Sequence, residues 1–125
     1  MGKHFPGDKS MVKKKYLKKS VINQVSRFSN QLAEAGFRIK NLIIFGSQVR
    51  GTAKRWSDID VCVVSTNFGK DRHTERVKLL SLTDNYDWRI EPHPYHPKDL
   101  ADKWDPLAHE IRKYGVDWQE VAPQI

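Results

Sequence analysis

Residues 42–64, "LIIFGSQVRGTAKRWSDIDVCVV", contain the most informative pattern in the sequence. An apolar run ends at Gly46 and Ser47, ten residues follow, and Asp58 and Asp60 then open a second apolar run. Alternate side chains of a strand share a face, so the two aspartates point together while the residue between them points to the core. Adjacent carboxylates repel each other unless a cation neutralises them, and oxygen ligands are those that Mg²⁺ prefers. The pair therefore predicts a divalent metal site.

The glycine and serine between the two apolar runs are typical of a phosphate-binding turn. A glycine at the change from strand to helix lets the backbone approach a ligand closely, and amides at a helix start bind phosphate oxygens. The hydroxyl of Ser47 adds one more donor. The Asp-x-Asp pair and the Gly-Ser turn are each common structural features when they occur alone. A carboxylate pair facing such a turn, however, is suited to phosphoryl-group chemistry with two metal ions.

Outward from this stretch, the chain predicts alternating helices and strands. Apolar residues at helical spacing, closed by Gly36, predict a long amphipathic first helix. Pro92 and Pro94 shorten the third strand or confine it to a sheet edge. The order indicates an α/β (α+β) fold, a small mixed sheet with helices packed on it. The predicted elements are a helix over 11–36, strands over 38–45 and 58–65, a helix over 71–82, a strand in "DWRIEPHP", and helices beginning at Pro97 and Pro106.

Length and composition favour a single domain over residues 1–125, with residues 1–10 flexible. Cys62 is the only cysteine, so an intramolecular disulfide and a zinc site built from several cysteines are excluded. We expect Cys62 to be a core residue rather than a nucleophile. No stretch approaches a membrane span, and the first ten residues lack the apolar core of a signal peptide, so we expect a cytoplasmic protein.

The charge balance favours phosphate-bearing partners. Lys and Arg number 22 against 15 Asp and Glu, a formal net charge of +7. A positive net charge attracts the phosphates of a nucleotide or of a nucleic acid, and it does not distinguish between these two partners. Part of the excess lies in "KKKYLKK", residues 13–19. This run is interpreted as a solvated helix face, with a nucleic-acid contact as the alternative.

The combined pattern of strand, Gly-Ser, ten residues, Asp-x-Asp and strand resembles the signature of the nucleotidyltransferase superfamily. That superfamily includes DNA polymerase β, kanamycin nucleotidyltransferase and poly(A) polymerases. The small size and element order are similar to the minimal nucleotidyltransferases, the type that partners HEPN proteins. The resemblance covers roughly residues 20–115, including "PLAHEIRKYGV" near the C-terminus. It implies a polymerase β palm-like fold.

The resemblance also implies roles for particular residues. Asp58 and Asp60 would hold two Mg²⁺ ions, with Mn²⁺ as an alternative, and Gly46 and Ser47 would hold the nucleoside triphosphate. Arg50 follows the turn and is a candidate phosphate contact, with a solvated surface charge as the alternative.

The resemblance implies a third carboxylate that lies on a later strand beside the pair and also holds metal, and Glu91 is its best match. Relatives often carry aspartate there, and glutamate is one methylene longer. Asp84 and Asp87 are competing acids, but they fall in a predicted turn before the strand. Alternation places Arg89 and Glu91 on one strand face and Ile90 in the core.

The implied reaction is attack by an acceptor hydroxyl on the α-phosphorus of a nucleoside triphosphate, with release of pyrophosphate and Glu91 as a candidate base. The predicted activity is transfer of a nucleotide, most plausibly AMP from ATP, to a protein, nucleic acid or small molecule. The minimal type implies a tyrosine of a HEPN toxin as acceptor. A homodimer is left open. The alternative is a non-catalytic module that caps a partner or binds RNA through its basic N-terminal helix.

The histidines and tryptophans near these motifs add further expectations. His93 and His96 have a spacing compatible with a transition metal but no evident third ligand, so we expect them near the active site rather than in a dedicated metal site. Trp56 is expected to pack on its loop rather than stack on a base. Packing between helices and sheet is expected for three other tryptophans, Trp88, Trp104 and Trp118.

Overall fold

The computed structural model describes residues 17–83 and 89–122. Its elements, in chain order, are α1 (Lys19–Glu34), β1 (Asn41–Phe45), α2 (Ser47–Arg50), β2 (Ile59–Val64), α3 (Arg72–Leu80), β3 (Ile90–Tyr95), α4 (Pro97–Leu100), α5 (Pro106–Tyr114), β4 (Val116–Asp117) and α6 (Trp118–Val121).

The strands form one mixed sheet in the order β3-β2-β1-β4. Strand β1 runs antiparallel to β2 and β4, and β2 runs parallel to β3. Strand β3 carries Pro92 and Pro94 and lies at the sheet edge, where a residue without an N–H donor is tolerated. The predicted mixed sheet and edge strand are confirmed.

Helices cover both faces of the sheet, which explains the continuous apolar runs of β1 and β2. On one face, α1 contributes Val21, Val25, Phe28 and Leu32 to a cluster that also holds Ile59, Val61 and Val63 of β2. On the other face, Cys62 and Val64 pack with Phe45, Tyr95, and Ala108 and Ile111 of α5. The predicted alternation along β2 is therefore confirmed, and Cys62 is a buried core residue.

The first helix differs from its prediction at the N-terminal end. Lys18 has extended backbone, with φ −78° and ψ 155°, so α1 begins at Lys19. Leu17 instead packs into the core ahead of the helix. Residues 1–16, with the predicted flexible segment and most of the basic run, lie outside the described residues. Gly36, with φ +84°, follows the helix end as expected.

The C-terminal part of the chain contains two elements that the sequence did not predict, β4 and α6. Both are too short for a periodic pattern to be visible.

Trp118 at the start of α6 packs into the core as expected. Trp104 does not, because 81% of its surface is exposed, and Trp88 lies outside the described residues. Among the described helices, none has the length and apolar character needed to span a membrane.

Candidate active site

Sheet register brings two predicted acids side by side. Asp60 of β2 pairs with Glu91 of the parallel strand β3, and on its other side with Phe45, the last residue of β1. Register partners on neighbouring strands project from the same face. The chain turns at Gly46 immediately after Phe45, so the Gly-Ser turn and the two acids meet at one end of the sheet.

His93 lies beside these acids. It follows Glu91 by two residues on β3 and therefore shares its face. Its Nε2 atom is 3.1 Å from Asp60 Oδ1. Asp60, Glu91 and His93 each offer one donor atom, and these atoms all lie within 4.8 Å of one another. Two carboxylate oxygens and an imidazole nitrogen form a donor set that fits a divalent cation.

Asp58 stands just before β2 and is exposed, outside that three-residue group. Its carboxyl group lies near that of Glu91. Partial desolvation and the nearby negative charges of Glu91 and Asp60 raise the pKa of Asp58, while the positive charge of Arg89 opposes this effect. Among the negative charges that act on Asp58, that of Glu91 has a larger effect than that of Asp60.

Glu91 is held by Arg76 of α3. The Arg76 Nη2 donates to Glu91 Oε2 at 2.5 Å, and both side chains are about one-third exposed. This hydrogen bond lowers the pKa of Glu91, although partial burial opposes the effect. Asp58, Arg76 and Glu91 line a small open cleft together with Leu80 and Ile90. The competing acids Asp84 and Asp87 lie outside the described residues.

Gly46 is required by geometry at the turn. Its φ of +83° lies in the region that favours glycine, and a Cβ at this position would overlap the Asp60 carboxylate. Its carbonyl accepts hydrogen bonds from the amides of Val49 and Arg50, which closes the short helix α2 that begins at Ser47. The absence of a side chain at residue 46 is what lets the turn approach Asp60.

The loop between the turn and the aspartates is fixed at its end. The Ser57 carbonyl accepts hydrogen bonds from Nε and Nη2 of Arg89, at 3.2 and 3.0 Å. Buried Gln48 donates to the same carbonyl at 3.3 Å and to that of Asp58 at 3.4 Å. The backbone that carries Asp58 is thereby anchored.

Trp56 is 71% exposed in this loop, so the expectation that it packs on the loop was wrong.

Arg50, the candidate phosphate contact, ends α2 on the exposed surface. Its guanidinium carbon lies 4.7 Å from the ring centroid of Tyr114, a cation–π distance. The structure thus places Arg50 against α5, and its role toward phosphate stays a prediction.

Sequence reasoning missed the side chains that hold the acids and their loop in place. His93 was expected near the active site, and its alternation with Glu91 on the same strand indicates the shared face. For Arg76, Gln48 and Arg89 no local pattern pointed to their partners, since each contact depends on how separate segments pack.

Comparison with known proteins decides the family. A family model of the nucleotidyltransferase domain matches residues 22–112. The chain belongs to this nucleotidyltransferase domain family. The match contains all of the turn, the aspartate pair and β3, and it confirms the family recognised in the sequence and its fold class.

Individual relatives agree with the family. A protein of Methanocaldococcus jannaschii, named as a candidate protein adenylyltransferase, is 39% identical over 65 residues, 49% of this chain and 44% of the relative. The chain therefore spans less than half the length of that curated relative. A crystal structure of a candidate nucleotidyltransferase from Sulfolobus solfataricus has the same fold, with a TM-score of 0.57, 17% identity, and coverage of 94% of this chain and 89% of the other.

Proposed function

We propose that this protein transfers a nucleoside monophosphate, AMP from ATP, to a hydroxyl group of a protein, with a divalent metal ion as cofactor. The observation that carries the proposal is the meeting of the Asp60–Glu91 register pair with the Gly46–Ser47 turn at one end of the sheet. The turn suits a triphosphate and the acids suit the ions that accompany it.

Each residue of the proposed site has its own role. Asp60 and Glu91, with Asp58 next to Glu91, would hold the metal, which when bound supplies neutralisation of the phosphate charge. Gly46 permits close approach of the backbone, and Ser47 adds a hydroxyl donor. Arg89 and Gln48 keep the Asp58 backbone in place. Positioning of this kind contributes most of the catalysis in phosphoryl transfer.

The reaction forms a bond between the acceptor oxygen and the α-phosphorus and breaks the bond from that phosphorus to pyrophosphate. The hydroxyl proton passes to water in the open cleft beside Asp58 and Glu91. Glu91 was a candidate base as well as a predicted metal ligand, and its ion pair with Arg76 and its lowered pKa suit ion binding better than proton abstraction. We therefore assign Glu91 to the metal.

A protein acceptor is supported by the name of the archaeal relative, a candidate protein adenylyltransferase. The resemblance to the minimal type adds a tyrosine of a HEPN partner as the specific acceptor. The cleft beside Asp58 and Glu91 is small and open, which fits an acceptor presented by a separate chain.

The test is label transfer from α-labelled ATP with Mg²⁺ and a co-purified or HEPN-type acceptor. We expect transfer by the wild type, and losses of at least about 100-fold in Asp58→Asn and Asp60→Asn. Asp102→Asn is the matched control, because it removes the same charge from an exposed residue of the 101–105 segment. Chelation with EDTA should abolish transfer, and added Mg²⁺ should restore it.

A binding module would give a different result. Retained partner binding in both aspartate variants, together with no transfer by the wild type, would favour that alternative. Affinity for RNA that falls steeply with salt would favour the nucleic-acid form of it.

A further inference from the structure

We infer that His93 is a direct metal ligand, so that the site selects a first-row transition-metal ion such as Mn²⁺ over Mg²⁺. The inference rests on the proposed function only in placing the ion at the Asp60–Glu91 pair. It adds a nitrogen donor to a site that was predicted from carboxylates alone.

The distances fit coordination by one ion. Ligands about 2.1 Å from a metal and at right angles to each other lie about 3 Å apart, and opposite ligands about 4.2 Å apart. The separation of His93 Nε2 from Asp60 Oδ1 is 3.1 Å, and all three donor atoms, including that of Glu91, lie within 4.8 Å of one another. An ion at their centre needs only small shifts of side chains that already converge.

The imidazole is held in this position by its surroundings. The His93 ring lies 5.1 Å from the ring of Phe45, centroid to centroid, and only 17% of its side chain is exposed. Strand register fixes its backbone, because His93 pairs with Cys62, two residues along β2 from Asp60. A preorganised ligand loses little conformational entropy on binding an ion.

The donor type sets the preference among ions. Mg²⁺ favours oxygen ligands and retains its waters, whereas first-row transition metals accept imidazole nitrogen readily. A site of two carboxylates and one histidine should therefore bind Mn²⁺ more tightly than Mg²⁺. Replacing the histidine with an apolar residue should remove much of this difference.

The test measures binding without turnover, on the full chain. Mn²⁺ affinity is obtained by EPR titration, Mg²⁺ affinity by competition, and nitrogen coordination by ¹⁴N modulation in pulsed EPR. We expect ¹⁴N modulation from a histidine in the wild type. In His93→Leu we expect its loss and a fall of about 10- to 100-fold in the ratio of Mn²⁺ to Mg²⁺ affinity. His109→Leu, an exposed histidine of α5, should leave both measurements unchanged.

Two results would overturn the inference. One is the absence of ¹⁴N modulation in wild-type protein with bound Mn²⁺, which needs no variant and is independent of whether His93→Leu folds. The other is a His93→Leu protein, folded by circular dichroism, that keeps the modulation and the ion preference. If label transfer with Mg²⁺ persists in either case, the proposed function stands while this inference fails.

Discussion

Among individual residues, Gly46 is as important to the site as the acids are, because it has no side chain. Gly46 has no Cβ, and the Asp60 carboxylate occupies the space where one would lie. Gly36 also has a positive φ, +84°, but a Cβ there would meet nothing within 4 Å. Substitution at Gly36 therefore tests the cost of a positive φ without crowding of the acid.

Gly46→Ala should therefore damage activity as well as stability. A left-handed backbone costs a non-glycine residue about 1–2 kcal/mol, so Gly36→Ala should lower the free energy of unfolding by about that amount. Gly46→Ala should lower it further, because φ +83° and ψ −155° lie in a region that essentially only glycine adopts and the added Cβ would overlap the Asp60 carboxylate. Only Gly46→Ala should displace Asp60, with a loss of about 100-fold in label transfer. Urea unfolding and transfer assays on the two variants check this. Equal activity in both would contradict the role given to the turn.

Cys62 should be unreactive in the folded protein. Its side chain is fully buried, and burial raises the pKa of the thiol from 9.0 to about 12, so almost no thiolate forms near neutral pH. Ellman's reagent at pH 8 should leave the native protein unmodified and should titrate one thiol in denaturant. Rapid modification without denaturant would show that Cys62 lies outside the core.

At the scale of elements, strand register is what assembles the acids. Asp60 and Glu91 are 31 residues apart in sequence and adjacent in the sheet because β2 and β3 run parallel. The loop that carries Trp56 is anchored by Gln48 and Arg89, yet its tryptophan faces solvent. Trp56 and Trp104 are exposed, whereas Trp118 is buried, so the tryptophans of different segments have different environments.

Three tryptophan substitutions should separate these environments. Trp118→Ala, at the start of α6, should lower the free energy of unfolding by about 3–5 kcal/mol because the side chain is 9% exposed and packs in the core. Trp56→Ala and Trp104→Ala should change it by less than about 0.5 kcal/mol. Thermal or urea unfolding measures all three. A large loss of stability in Trp56→Ala would mean that this loop packs more tightly than described.

The start of α5 should confer pH-dependent stability through Asp105. Its carboxylate accepts hydrogen bonds from the Tyr95 hydroxyl and from the amides of Leu107 and Ala108. Although partial desolvation opposes them, these bonds lower the pKa of Asp105 below its usual 3.8. A lowered pKa stabilises the fold above pH 3.8, and this contribution is lost as the pH falls through the folded-state pKa.

Asp105→Ala should thus cost about 1–2 kcal/mol of unfolding free energy at pH 6. The difference from the wild type should shrink toward pH 3 and below, as measured by urea unfolding across that range. Tyr95→Phe keeps the helix cap and should retain the larger part of the pH-dependent term. A difference that is constant with pH would rule out ionisation of Asp105 as its source.

At the scale of the whole molecule, the sequence predicted the sheet, the main helices and the end of the sheet at which the acids lie. The apolar runs, the Gly-Ser turn and the prolines at helix starts each carry a local signal. The position of His93 beside Asp60 and the Arg76–Glu91 pair depend on parallel pairing and on packing of α3. Local patterns do not determine such pairing, so these contacts could be found only in three dimensions.

A crystal structure with Mn²⁺ and a non-hydrolysable ATP analogue would locate the metal ion and the nucleotide directly. We predict an anomalous manganese peak within bonding distance of the Asp60 and Glu91 carboxylates, with the triphosphate against residues 46 and 47. A metal ion and nucleotide bound elsewhere on the chain, with Asp60 and Glu91 contacting neither, would show that these acids do not form the active site.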